Sequence, residues 1–232
     1  MRQLLPSATR AAARLQPAWE LFLDLLYPSR CGGCDRRGTL LCPDCRASIT
    51  LPGKSDTAVP GLDLLLYAGA FEGPLREAIH NFKYKNDTPL AKPLAALMSE
   101  ALANHITGWG SVVLVPVPLH ASRCRERGYN QSELLARELS RKTGLSVDLG
   151  LIRVRETRPQ VELGMQERAA NVAGAFKLQR DPAPQTVILV DDVCTTGATL
   201  AECAAVLKLQ GARSVYAVTV ARALGTDASA SR

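Results

Sequence analysis

Two adjacent carboxylates and several hydroxyl residues follow an aliphatic segment in the last quarter of the chain. The segment 187–190 leads directly into Asp191 and Asp192, and the next residues are mostly small or hydroxyl-bearing: Val193, Cys194, Thr195, Thr196, Gly197, Ala198 and Thr199. Apolar residues then recur from position 200 to position 207 at the spacing of one helix face. The pattern predicts a buried strand, a polar loop and the N-terminus of a helix.

This arrangement predicts a site for a phosphorylated sugar. The backbone N–H groups and the dipole at a helix N-terminus favour a phosphate, which we place on residues 193–199. Carboxylates would repel a phosphate, so Asp191 and Asp192 suit the hydroxyls of an attached sugar or a Mg2+ ion, and we predict them as the catalytic pair. An ordinary strand–turn–helix is the alternative, but capping such a helix requires one polar side chain rather than five.

Four cysteines stand in two C-x-x-C pairs with seven residues between the pairs: Cys31, Cys34, Cys42 and Cys45. Four thiolates in a tetrahedron are the ligand set of structural zinc, and a segment this short needs the metal because it has no core of its own. Two disulfides or a redox pair are the alternatives. Four arginines surround the cysteines and either contact nucleic acid or form a solvated basic face: Arg30, Arg36, Arg37 and Arg46.

Composition limits the class of protein. The 232 residues carry a formal charge of +6 and are 47% hydrophobic and 22% charged, as is typical of a globular chain with one α/β domain and a small module. The positive charge allows an anionic ligand but is too diffuse to indicate nucleic acid by itself. No apolar run reaches about 18 residues, and Asp24 interrupts the apolar stretch near the N-terminus. We therefore predict no membrane span, no secretory signal and a cytoplasmic location.

The order of elements predicts an α/β fold. Strand patterns at 62–71, 112–118, 187–190 and 214–220 alternate with amphipathic helices, which gives a mostly parallel sheet flanked by helices. Ligands of such sheets bind beyond the C-terminal ends of the strands. The predicted organisation, in chain order, is an amphipathic helical lead-in (1–27), a four-cysteine zinc-binding module (28–50), a linker (51–61), an α/β ligand-binding domain (62–224) and a disordered tail (225–232).

Further basic residues are placed to serve the same ligand. After the strand at 112–118, an arginine-rich loop carries three guanidinium groups, on Arg123, Arg125 and Arg127. Guanidinium groups suit a pyrophosphate because each one can bind two of its oxygens. Lys83 and Lys85, at the end of a predicted helix, are candidate contacts for DNA or a phosphate.

The segment 155–176 has the properties of a lid. It is long, polar and interrupted by proline and glycine, and it contains Arg168 and Asn171. A segment of this kind between regular elements is typically a binding loop or a cover for a site, and a plain surface loop is the alternative. A cover matters for sugar-transfer chemistry because it keeps water away from a reactive sugar.

Taken in order, these motifs resemble the ComF family of phosphoribosyltransferase-like proteins. The resemblance rests on the four-cysteine knuckle, Phe-Lys-Tyr-Lys (82–85), Val-Pro-Val-Pro-Leu-His (115–120), Arg-Glu-Arg-Gly-Tyr-Asn-Gln (125–131), Arg-Pro-Gln (158–160) and the acidic pair with its threonine loop. The stretch from Val112 to Thr199 is also similar to the transferase half of glutamine amidophosphoribosyltransferase. The resemblance thus covers almost the whole chain.

The resemblance implies a type I phosphoribosyltransferase fold over 62–224, with phosphoribosyl pyrophosphate (PRPP) and Mg2+ as ligands and a structural Zn2+ on the four cysteines. It also implies roles for the residues of the site: Asp191 and Asp192 hold the ribose hydroxyls, Thr195, Thr196, Gly197 and Thr199 hold the 5′-phosphate, Arg123, Arg125 and Arg127 lie in the pyrophosphate loop, and Arg168 and Asn171 lie in the flexible loop. These roles are expectations carried over from the family.

For function, the resemblance implies a part in competence, the uptake of transforming DNA. Three molecular roles stay open. The chain is a Mg2+-dependent phosphoribosyltransferase with an unknown acceptor, or a module that binds PRPP or the 5′-phosphate of single-stranded DNA. The third role is that of an assembly factor that docks a partner such as the helicase-like competence protein.

Overall fold

A computed structural model gives the fold and describes residues 28–49, 59–103, 105–106, 109–156, 170–179 and 186–223. The predicted lead-in over 1–27, the tail over 225–232, most of the linker and Arg168 lie outside the described residues. Within the described part, no helix is both long enough and apolar enough to cross a membrane.

The described strands, in chain order, are β1 (Leu64–Ala70), β2 (Val112–Pro116), β3 (Ser146–Val147), β4 (Leu151–Arg153), β5 (Phe176–Leu178), β6 (Thr186–Cys194) and β7 (Ser214–Arg222). Five of them form one sheet in the order β1-β7-β6-β2-β3, with every neighbouring pair parallel. β4 and β5 pair antiparallel as a separate ribbon. The predicted parallel sheet is therefore confirmed, whereas β3 and the ribbon had no recognisable sequence pattern.

The described α-helices are α1 (Pro43–Ala47), α2 (Gly73–Tyr84), α3 (Ala91–Ala103), α4 (Ala121–Arg127), α5 (Gln131–Thr143) and α6 (Ala198–Leu209). The prediction of an arginine-rich loop is wrong at α4, because this segment is a short helix. His120 begins it by accepting a hydrogen bond from the Ser122 N–H at 3.4 Å, and Gly128 ends it with φ 82°. A glycine is suited to that left-handed position.

Both faces of the sheet are covered, as the aliphatic run of β6 requires. Ile188 and Val190 are fully buried on the face covered by α2, α3 and α5. Val187 and Leu189 are buried on the opposite face, under α6 and the β4–β5 ribbon. Successive strand residues point to opposite faces, so a strand buried on both sides reads as a continuous apolar run. Cys203 of α6 lies in this second core, as its position on the apolar helix face predicts.

Candidate functional site

The acidic pair lies inside β6, because the strand continues past the predicted end at Val190 as far as Cys194. Each carboxylate has its own partner from the helices of one face. Asp191 Oδ1 accepts hydrogen bonds from Ser132 Oγ of α5 at 2.8 Å and from the Asp192 backbone N–H at 2.9 Å. Asp192 Oδ1 lies 2.8 Å from Lys83 Nζ at the end of α2. The parallel sheet thus brings together groups that are far apart in sequence.

Lys83, which the sequence suggests as a contact for DNA or a phosphate, is paired with a carboxylate in the structure. Its side chain is 20% exposed and its ammonium lies against Asp192, whose side chain is 11% exposed. Lys85, one residue past the end of α2, is exposed. The role of both lysines as contacts stays a prediction.

The charges of this cluster are strongly coupled. Burial and the charge of Asp192 raise the pKa of Asp191 to about 7, and the opposing effects of Lys83 and Ser132 do not cancel them. Burial alone would lower the pKa of Lys83, but the carboxylates of Asp192 and then Asp191 outweigh it and raise that pKa. At neutral pH the carboxyl of Asp191 is thus about half protonated, and it lies near the ammonium of Lys83.

This coupling predicts a pH-dependent stability. Folding raises the pKa of Asp191 from 3.8 to about 7, so its contribution is fully present below pH 3.8 and is lost as the pH rises to about 7. The Asp191→Asn variant does not lose stability in this way, because asparagine does not titrate. We expect its unfolding free energy, relative to wild type, to rise with pH by up to about 4 kcal/mol and to level off above neutrality.

Urea unfolding of the zinc-loaded protein between about pH 5 and pH 8 measures this difference. Glu138→Gln, on the surface of α5, removes a carboxylate that pairs with Arg141, and its difference from wild type should stay nearly flat with pH. An Asp191→Asn difference that is independent of pH would contradict the assigned protonation of the cluster.

The loop after the acidic pair leads into the N-terminus of α6. Gly197 begins the helix with φ 82°, and Thr196 Oγ1 accepts a hydrogen bond from the Ala198 N–H at 3.4 Å. A Cβ atom at Gly197 would come within 2.7 Å of Val59 Cγ2, so the loop is held close to the chain that enters β1. Backbone N–H groups in the first turn of a helix can bind an anion. Residues 195–199 lie at the N-terminus of α6, and their role as a phosphate loop stays a prediction.

Arg222, at the end of β7, braces the loop from the neighbouring strand. Its Nη1 lies 2.8 Å from Cys194 Sγ and donates to the backbone carbonyl of Thr195. Cys194 is 2% exposed, so its thiol is packed inside the protein rather than presented to solvent. No sequence pattern singles out Arg222, since only the β6–β7 pairing brings it opposite Cys194.

The three arginines of the predicted pyrophosphate loop lie in different surroundings. Arg127 stands over the ring of Tyr84, with its guanidinium carbon 5.2 Å from the ring centroid. Arg125 lines an open cavity of about 630 Å3 between α4 and the β4–β5 ribbon, and Arg123 lies 3.8 Å from Glu126. Arg123 and Arg127 are four positions apart and lie on the same side of α4, whereas Arg125 lies on a different side.

The described ends of the predicted lid are attached to the rest of the site. Glu156 accepts a hydrogen bond from Ser122 Oγ of α4 at 2.6 Å. This bond and the positive groups of α4 lower the pKa of Glu156. Arg155 Nη2 donates to the backbone carbonyls of Asn171 at 3.1 Å and Ala173 at 2.6 Å. The two ends of the segment 155–176 are therefore tied to each other and to α4.

The four N-terminal cysteines form a cluster that could hold a zinc ion. Their sulfur atoms all lie within 4.8 Å of one another, and Cys34 Sγ and Cys42 Sγ are 3.7 Å apart. A tetrahedral zinc with bonds of about 2.3 Å requires sulfur separations of about 3.8 Å. None of the described cysteines is disulfide-bonded. Burial would raise the pKa of Cys31, but backbone N–H donors, that of Cys42 first, lower it to about 6, which favours the thiolate that a metal requires.

The cysteine knuckle packs directly on α2. A Cβ atom at Gly32 would lie 2.8 Å from Leu90 and one at Gly33 would lie 2.8 Å from Pro74, so only glycine allows this close approach. Asn81 Nδ2 of α2 also donates to the Gly32 carbonyl at 2.8 Å. The knuckle is thus attached to the α/β domain by backbone contacts at both of these glycines.

Most of the arginines around the knuckle are paired with carboxylates. Arg30 lies 2.5 Å from Asp35, and Arg36 lies 2.5 Å from Asp44. Arg46 pairs with Glu100 of α3, which adds a further link between knuckle and domain. These partners favour the solvated face over the nucleic-acid contact, the two interpretations that the sequence left open.

Comparison with known proteins identifies the family of this fold and site. The phosphoribosyl transferase domain family matches residues 83–228. The protein called DNA utilization protein YhgH in Salmonella typhimurium is 33% identical over 204 residues, which cover 84% of this chain and 90% of that protein. The chain belongs to the ComF family. Competence protein F of Haemophilus influenzae is 34% identical over 172 residues, covering 71% of this ComF-family chain and 75% of that protein.

A more distant relative extends the comparison. Competence protein ComFC of Streptococcus pneumoniae is 26% identical over 204 residues, covering 83% of this chain and 87% of that protein. The predicted membership of the ComF family is therefore confirmed, as is the phosphoribosyltransferase-like fold. The residue roles that the resemblance implied remain predictions about this ComF-family chain.

Proposed function

We propose that this ComF-family chain binds a phosphorylated ribose, as in PRPP or the 5′-phosphorylated end of single-stranded DNA, and acts in the uptake or use of DNA. One observation carries the proposal: the acidic pair of β6 stands directly before the loop that leads into the N-terminus of α6. The phosphate lies on the N–H groups of residues 195–199, and the ribose hydroxyls donate to Asp191 and Asp192. Anion and diol are thus bound by groups of opposite polarity.

Other residues prepare this site for its ligand. Lys83 holds Asp192 in place, so that its carboxylate oxygens are oriented to accept hydrogen bonds from the ribose hydroxyls. Arg222 holds the loop through the Thr195 carbonyl and adds positive charge near the phosphate position. A ligand that meets a preformed site loses less free energy in ordering it.

The role in DNA uptake or use draws on the relatives. Two of them are named competence proteins and one is named a DNA utilization protein. The net charge of +6 supports attraction to a polyanion. On this proposal the binding of DNA weakens steeply with salt, and we place the protein in the cytoplasm with a helicase-like partner.

The alternative is an active phosphoribosyltransferase that uses Mg2+ and an unknown acceptor. The two carboxylates supply the oxygen ligands that Mg2+ prefers. Asp192 is already neutralised by Lys83, however, and Asp191 holds its proton up to about pH 7. As they stand, these residues do not fit a Mg2+ ion held by the protein alone, and no step of the proposed binding depends on the ion.

Isothermal titration of ribose 5-phosphate, and of PRPP with Mg2+, into the zinc-loaded protein tests the proposal. We expect binding in the micromolar range that the Asp191→Asn/Asp192→Asn variant loses, because it removes the acceptors of the ribose hydroxyls. Glu138→Gln serves as the surface control and should bind as wild type does. Failure of wild type to bind either ligand would overturn the proposal, and release of pyrophosphate from PRPP would establish the alternative.

A further inference from the structure

One aromatic ring stands exposed beside the candidate site. Tyr84 is the last residue of α2, and its side chain is 61% exposed. The other large hydrophobic side chains exposed in the described part are aliphatic, those of Leu149, Val154 and Leu209. The preceding residue, Lys83, pairs with Asp192. Tyr84 is therefore the sequence neighbour of a residue that contacts the acidic pair.

Arg127 and His80 lie against this ring. The guanidinium carbon of Arg127 is 5.2 Å from its centroid, and the imidazole centroid of His80 is 5.0 Å away on the same helix. Lys85 follows it and is exposed. Among the described residues, neither Arg127 nor Lys85 forms an ion pair with a carboxylate. The positive charge at the ring is thus available to an anion.

The end of α2 is held firmly in this position. Tyr129, the other ring near the site, is half-buried, and its hydroxyl donates to the backbone carbonyl of Phe82. Phe82 is fully buried, and its ring lies 6.1 Å from that of Tyr129. Tyr129 therefore acts as a brace for the helix end, whereas Tyr84 presents its ring to solvent.

We infer that Tyr84, flanked by Arg127 and His80, is a stacking subsite for a base of single-stranded DNA. This inference rests on the proposed function, because the phosphorylated ribose at the acidic pair would bring the adjoining nucleotides to α2. An exposed ring among cations fits such a strand, since cations attract its phosphates and every base offers a π-face to the ring. The subsite would act without regard to base sequence.

Fluorescence anisotropy with two 3′-labelled probes of about eight nucleotides tests the inference. One probe is 5′-phosphorylated oligothymidylate, and the other is an abasic strand of equal length and charge. Stacking of one base is worth about 1–3 kcal/mol, so Tyr84→Ala should weaken binding of the first probe by about 5- to 150-fold. It should leave binding of the abasic strand unchanged.

Two further variants separate stacking from other effects. Tyr84→Phe keeps the ring and should bind the oligothymidylate within about twofold of wild type. Leu209→Ala removes another exposed apolar side chain, which is 85% exposed, and should bind as wild type does. Arg127→Ala should weaken binding of both probes and reduce the salt dependence, because it removes a phosphate contact.

Equal binding of the oligothymidylate by Tyr84→Ala and wild type would overturn the subsite, and so would equal binding of both probes by wild type. Absence of binding to either probe would overturn it as well. The ribose 5-phosphate titration distinguishes these failures from failure of the proposed function. If that sugar still binds, the acidic pair keeps its assigned role and only the base-stacking inference falls.

Discussion

Replacement of Cys45 by serine should destabilise the described α/β domain as well as the knuckle. The four sulfur atoms lie within 4.8 Å of one another, and structural zinc in such clusters is worth on the order of 10 kcal/mol. Loss of the knuckle would also expose the apolar surfaces of Leu90 and Ala78, against which Gly32 packs. We expect the α/β domain to lose stability equal to about half of the free energy of zinc binding. This loss lowers its melting temperature by about 10–20 °C.

Calorimetry of the wild type and Cys45→Ser, with zinc measured in each sample, checks this expectation. Cys124→Ser is the matched control, because that thiol is half-exposed on α4 and lies outside the cluster. It should change the melting temperature by no more than about 2 °C, as surface substitutions do. A Cys45→Ser protein that melts with the wild type would show that the metal does not stabilise the domain.

The second large effect should come from Lys83→Met. The Lys83–Asp192 pair is mostly buried, so removal of the ammonium leaves a carboxylate with no opposite charge in a site of low polarity. We expect a loss of about 3 kcal/mol in the free energy of unfolding. The double variant Lys83→Met/Asp192→Asn removes both charges and should be clearly more stable than the sum of the single changes implies.

Urea unfolding of the four members of this double-mutant cycle gives the coupling free energy. Lys85→Met, two residues along the chain, is the control. The exposed ammonium of Lys85 should contribute less than about 0.5 kcal/mol to the free energy of unfolding. Additive losses in the cycle would mean that the ion pair contributes nothing to the stability of the site.

The parts of the fold that could be predicted are those with a local sequence pattern. Burial can be predicted from the aliphatic runs of β2 and β6 and from the apolar faces of α2, α3 and α5. The alternating β/α order implies the parallel sheet. The helix α4 escaped prediction because it has no buried residue and hence no apolar face to recognise. β6 continues through two aspartates, which are poor strand formers, because its pairing with β7 extends to Cys194 and Arg222.

The same limit applies to the site. Asp191, Asp192 and the threonine loop are contiguous, so their relation to a helix N-terminus can be read from the chain. The partners of the two carboxylates, Lys83 and Ser132, come from separate helices, and no sequence spacing relates them to β6. Burial in the folded protein, rather than residue type, also determines that Asp191 holds its proton to about pH 7.

The docking of the cysteine knuckle on α2 has a thermodynamic consequence. The helix has 12 residues and is about 18 Å long. Pro74, Ala78 and Asn81 along it contact the knuckle. Its last two residues, Lys83 and Tyr84, lie beside the ligand site. Zinc binding that stabilises this helix in the conformation a ligand requires is coupled to ligand binding. The coupling free energy is the same in both directions, because coupling between two sites is reciprocal. A bound ligand would then tighten the binding of zinc by the same factor by which zinc tightens the binding of the ligand.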